Sequence, residues 1–149
     1  MNEIINYIIL KCVDLKNKYV SEKNLDADYI CIFSQSEAEY QDLVKQAATI
    51  GEIVDETKTG PLFKFIYPPQ TIAGKPKVLK IRIPDPTKKQ RGDVDFTTNY
   101  QDFKDKYFDD DKFKLIVREK FEMLELADQE FDVLVYFSRV PPSQLAGVS

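Results

Sequence analysis

The chain reads as an α+β fold in which two β-α-β-β-β modules form a curved mixed sheet with helices on the convex side, plus an N-terminal helix. Three observations predict it. A short alternating strand followed by a capped helix opening with Tyr-Gln-Asp occurs twice, as Asp28–Phe33 with Tyr40-Gln41-Asp42-Leu43 and as Asp93–Thr97 with Tyr100-Gln101-Asp102-Phe103. Each copy is followed by three further strand-like runs, and a duplicated unit that cannot bury its faces alone packs against its twin. The length of 149 residues, 43% hydrophobic and 31% charged, suits one compact domain. The expected organisation is a single domain over 1–140, with a helix over 3–20, modules over 27–84 and 92–138, and a flexible tail over 141–149.

Ile4, Ile5, Ile8, Ile9, Cys12, Val13, Leu15 and Tyr19 recur at three- and four-residue steps, which predicts the first helix. Tyr29–Phe33 alternates as a strand of β-branched and aromatic residues. Ser36 with Glu39 three residues on makes a capping box, and Tyr40, Leu43, Val44, Ala47 and Ile50 form the apolar stripe of a helix ended by Gly51. Strands are expected over 52–56, 62–67 and 77–83, punctuated by Gly60-Pro61, Pro68-Pro69 and Gly74 with Pro76. The second half repeats the order: a strand over 93–98, a short helix capped by Asn99 with Tyr100, Phe103 and Tyr107 inward, and strands over 113–117, 121–126 and 131–138. Pro84 to Gly92 links the halves, and the tail lacks an apolar pattern that would pack.

A net charge of −4, from 25 acidic and 21 basic residues, argues against a nucleic-acid partner, which needs a basic face. The apolar run over 4–10 is too short to span a bilayer and has no basic leader, so no membrane role is expected. Cys12 and Cys31 lie in an apolar helix and an apolar strand, with no metal or disulfide spacing, which points to the reducing cytoplasm. No histidine and no glycine-rich phosphate loop is present.

The segments Ala27–Ile32, Gly60–Phe65, Leu79–Pro84 and Asp93–Phe96 resemble the vicinal oxygen chelate superfamily, which includes glyoxalases, extradiol dioxygenases and bleomycin-resistance proteins, and within it the YecM-like branch. The resemblance spans about residues 27 to 138. It implies two modules enclosing a concave site, where metal-dependent members place a histidine on the first strand of each module and a carboxylate on a later strand. Tyr29 stands where the first histidine would, and Asp93 or Asp95 where the second would. The chain thus departs from the family in lacking the imidazoles that bind zinc, nickel or iron.

Alternation allows the cup to be read directly, because successive strand side chains point to opposite faces. With Ile30 and Ile32 toward the helices, Tyr29, Cys31 and Phe33 face the cup, as do Asp93, Asp95 and Thr97 opposite Val94 and Phe96. Lys80 and Arg82 oppose Leu79, Ile81 and Ile83, and Leu134, Tyr136 and Ser138 oppose Val133, Val135 and Phe137.

Three functions compete. In the first-ranked reading the cup binds a small polar or anionic molecule without a histidine-ligated metal or other cofactor, through Tyr29, Phe33, Lys80, Arg82, Asp93, Asp95 and Tyr136. The alternative is an enzyme holding magnesium or manganese with Asp93, Asp95 and Glu122 or Glu125; these acids equally make a solvated ion-pair network. The third is an interaction protein dimerising through the broad apolar arc of the N-terminal helix, an arc that more often docks on its own sheet. Cys31 has no histidine to act as its base and reads as core, and Arg82 to Arg91 reads as a stiff turn.

Overall fold

The computed structural model describes residues 1–149. Its elements are α1 (Asn2–Tyr19), β1 (Ala27–Phe33), α2 (Glu37–Ile50), β2 (Gly51–Thr57), β3 (Gly60–Phe65), β4 (Val78–Arg82), β5 (Gly92–Phe96), α3 (Tyr100–Tyr107), β6 (Phe113–Val117), β7 (Glu122–Leu126), β8 (Val133–Ser138) and α4 (Pro142–Leu145). The eight strands form one mixed sheet in the order β2-β3-β4-β1-β5-β8-β7-β6. Within each half the first strand pairs in parallel with the last, β1 with β4 and β5 with β8, and the others pair antiparallel. The halves therefore share one topology. They join through antiparallel β1 and β5, with Ile30 opposite Val94.

Alternation divides the side chains as the sequence predicts. Ile30, Ile32, Phe63, Phe65, Leu79, Ile81, Val94, Phe96, Leu124, Val135 and Phe137 share one apolar core with Ile5, Ile8, Ile9 and Cys12 of α1, Leu43 and Ala47 of α2, and Phe103 and Tyr107 of α3. The three long helices thus cover one face. The arc of α1 is consumed by its own sheet: Ile8 and Cys12 are wholly buried against the β1–β5–β8 centre. A dimer built on that arc would have to unseat α1.

The Tyr-Gln-Asp tripeptides do not occupy equivalent places. Ser36 Oγ accepts from the Glu39 amide at 3.1 Å and starts α2 at Glu37, which leaves Tyr40 on the fourth helical residue, whereas Tyr100 is the first residue of α3. Glu39 closes the cap on Gln35 N rather than on Ser36 N, at 2.9 Å. Asn99 precedes α3 without a side-chain capping bond. Gly51 ends α2 in extended backbone, φ −153°, and opens β2. Its requirement is for space, because a Cβ there would lie 2.8 Å from Lys64 O.

The expected flexible tail over 141–149 is instead folded. Pro142–Leu145 forms α4, Ser143 is buried, and Val148 packs with Leu62 and Val78 on the face opposite the long helices. The lack of periodicity was misleading because anchoring is polar: the Ser143 amide and hydroxyl both donate to the Asp28 carboxylate.

Candidate functional site

The two central strands supply the floor of the concave face. In β1–β5, Tyr29 lies opposite Asp95 and Cys31 opposite Asp93, and directly opposed residues of an antiparallel pair share a face. β4 adds Lys80 beside Cys31 and Arg82 beside Phe33, and β8 adds Leu134 beside Asp93 and Tyr136 beside Asp95. Six of the seven residues read from the sequence, Tyr29, Lys80, Arg82, Asp93, Asp95 and Tyr136, line one cavity of about 460 Å³. Phe33 is not in its wall. It packs with Cys31 and Leu134, and the Arg82 guanidinium lies 5.4 Å from its ring centre, so Phe33 supports Arg82 from below.

The polar groups differ in how far their bonding is satisfied. Asp95 is buried, with both carboxyl oxygens engaged by Ser138 through its hydroxyl and its amide; burial raises its pKa well above the usual carboxylate range despite those bonds. Tyr136 donates to Glu125 at 2.7 Å, and burial with the Asp93 charge raises its phenol. Lys80 donates to the Thr59 hydroxyl, and burial lowers its ammonium. Arg82 reaches Asp85 at 3.3 Å but leaves Nε buried without a partner.

Asp93 stands apart. It is only 6% exposed, no hydrogen bond reaches its carboxyl, and Oδ1 is enclosed without a partner. Burial pushes its pKa up to about 7, against the opposing pull of Lys80 and Arg82. A carboxyl in that state can give or take a proton near neutrality.

The candidate metal ligands are dispersed. Glu122 lies on the helix face, accepting from Tyr100 Oη at 2.6 Å and pairing with Lys104 at 3.0 Å, while Glu125 points the other way. No group of three or more His, Cys, Asp or Glu side chains is disposed to hold a metal ion. A second hollow, about 630 Å³, lies beside α4 between Asp26, Lys75 and Lys77. It is the larger of the two, but its buried carboxylate, Asp28, is already satisfied by Ser143, whereas the unpartnered carboxyl oxygen, Asp93 Oδ1, belongs to the cup.

Sequence reading missed the outer wall of the cup. Ile116, Arg118, Phe121 and Met123 come from the β6–β7 hairpin, and Pro142 and Leu145 from α4. Alternation about Leu124 could have placed Met123, but a hairpin tip and an apparently loose tail give no periodic signal.

No family model matches the chain, and no curated protein matches it. A solved structure described as structural genomics Protein EC4020 is similar over 95% of this chain and 86% of its own length, with a TM-score of 0.72 at 14% identity. At that identity the likeness concerns the fold. No helix is long and apolar enough to cross a membrane.

Proposed function

We propose that the protein binds a small anionic molecule in the concave cup, as a member of the vicinal oxygen chelate group that works without a histidine-ligated metal. The paired β-α-β-β-β topology, joined through the first strand of each half, supports that kinship. Tyr29, Asp93 and Asp95 on those first strands take the places where metal-dependent members carry their ligands.

One observation carries the reading: Lys80 and Arg82, two residues apart on β4, line a single cavity with Tyr29 and Tyr136. Both cations are partly buried, which strengthens their pull on an anion relative to exposed side chains. The aromatic rings supply flat apolar area beside the charges. The hydrophobic wall from Phe121, Met123 and Leu145 suits a ligand with an apolar portion next to its anionic group.

Thermal unfolding with succinate, inorganic phosphate and sulfate, each at about 10 mM, tests the proposal, because a ligand selective for the native state raises Tm. At least one should stabilise the protein, and Arg82→Gln should weaken that ligand about tenfold or more. Absence of any shift, or full retention of affinity in Arg82→Gln, would remove the cup from consideration.

A further inference from the structure

The cup holds an arrangement that simple anion binding does not need. A carboxyl group, Asp93, sits in the same cavity as Lys80 and Arg82, and an acid beside the cations repels a fully ionised ligand. If the cations were there to balance Asp93, ion pairs would be expected. Neither forms one with it: Arg82 pairs with Asp85, and Lys80 bonds Thr59. Asp93 is thus a buried acceptor with nothing to accept, and Arg82 Nε a buried donor with nothing to receive it. Buried polar groups are ordinarily satisfied, so an unpartnered carboxyl on the lining of the cavity points to a ligand that supplies its missing donor.

We infer that the cup recognises a phosphoryl-type oxyanion that still carries an O–H, hydrogen phosphate or the singly protonated form of a monosubstituted phosphate or phosphonate, whose own O–H donates to the Asp93 carboxylate while its anionic oxygens take Lys80 and Arg82. This rests on the cup being the ligand site. A tetrahedral group has enough oxygens to meet two cations and an acceptor at once. A planar carboxylate offers only two oxygens and, when ionised, no donor. The proton lies between Asp93 and the ligand oxygen, so the carboxyl turns from a repulsive neighbour into a selector. Cys31 and Tyr29 from β1, Glu125 from β7 and Tyr136 from β8 also surround Asp93, and none donates a hydrogen bond to it.

Inorganic phosphate and sulfate test the inference. They match in shape and charge, but near pH 8 hydrogen phosphate keeps an O–H and sulfate has none. Calorimetric titration of the full chain at about pH 8, where Asp93 is ionised, should give phosphate about tenfold or more tighter binding than sulfate. In Asp93→Asn, whose amide is nearly isosteric and can donate, the preference should fall toward unity through gained sulfate affinity. Equal affinities in the wild-type protein overturn the inference, as does an undiminished phosphate preference in Asp93→Asn. The wild-type ratio decides the matter even if that variant does not fold. Binding of succinate with no response to phosphate overturns this inference and leaves the anion site standing. Silence toward all three removes both.

Discussion

Asp28 and Ser143 are 115 residues apart in the chain and joined twice, with the Ser143 amide at 2.9 Å and its hydroxyl at 2.6 Å from the two oxygens of one buried carboxylate. Asp28 sits at the β1–β5 irregularity between Ala27 and Tyr29, on the strand that floors the cup. The pair therefore fixes α4, and with it Pro142 and Leu145, against the site.

Removing either partner leaves a buried polar group unmatched, which costs about 1–3 kcal/mol. Asp28→Ala and Ser143→Ala should each lower stability by that amount in urea unfolding. The double variant should cost clearly less than the sum, because the two residues share one interaction. Additive losses would show that α4 is held by something else.

Asp93 gives stability a definite pH dependence. Its pKa is raised from 3.8 to about 7 in the folded protein by burial, so between those values the native state binds the proton and the unfolded chain does not. Stability from this group is complete below about pH 4 and is lost as pH rises through about 7, a change on the order of 4 kcal/mol at most. Asp95, also raised by burial, acts in the same direction. Urea unfolding at about pH 5 and pH 8 should show the wild-type protein weaker at the higher value, with Asp93→Asn reducing the difference. An identical difference in the variant would mean that Asp93 does not titrate as a buried acid.

The floor of the cup was legible because the residues of the main core alternate with those of the other face along its strands. In β1, β4, β5 and β8 the residues of the main core, Ile30, Ile32, Leu79, Ile81, Val94, Phe96, Val135 and Phe137, hold one parity, and the other parity put Tyr29, Lys80, Asp93 and Tyr136 on a common face with the apolar Cys31, Phe33 and Leu134. What the sequence could not show depends on non-local pairing. The Asp28–Ser143 bond turns a Pro-rich tail into a wall, and nothing local to either residue announces it. The repeated Tyr-Gln-Asp suggested duplication, which the strand order bears out, although the Ser36 cap shifts the first copy off its helix start. Glu122 and Glu125 appeared interchangeable as ligands, yet their odd spacing on β7 sends them to opposite faces.

Gly92 marks where α1 crosses the sheet. A Cβ at this position would lie 2.3 Å from Cys31 O and 2.6 Å from Ile8 Cδ1, inside contact distance of both β1 and α1. Gly92→Ala forces the neighbouring strand or the helix to move, and overpacking of this kind typically costs about 1–3 kcal/mol. Thermal unfolding should show the loss, and the Gly92→Ala/Ile8→Ala double variant should lose less than the sum of the two single losses by only the part due to the Ile8 contact, because the Cys31 carbonyl belongs to the backbone. Unchanged stability in Gly92→Ala would indicate that α1 sits farther from β5.

The carboxylates offered as metal ligands lead to the opposite expectation for divalent cations. Ser138 occupies Asp95, Tyr136 occupies Glu125, and Glu122 is held by Tyr100 and Lys104 on the far face, so only Asp93 in the cup is uncommitted. One carboxylate beside two cations is a poor site for magnesium or manganese, which need several oxygen donors. Millimolar concentrations of either ion should move Tm by less than about 1 °C. Glu122→Gln should lower stability by about 0.5–1.5 kcal/mol through the Tyr100 bond while leaving cup binding unchanged. A metal-dependent rise in Tm that disappears in Asp93→Asn would require the carboxylates to regroup around an ion. A rise that survives in that variant would place the metal outside the cup.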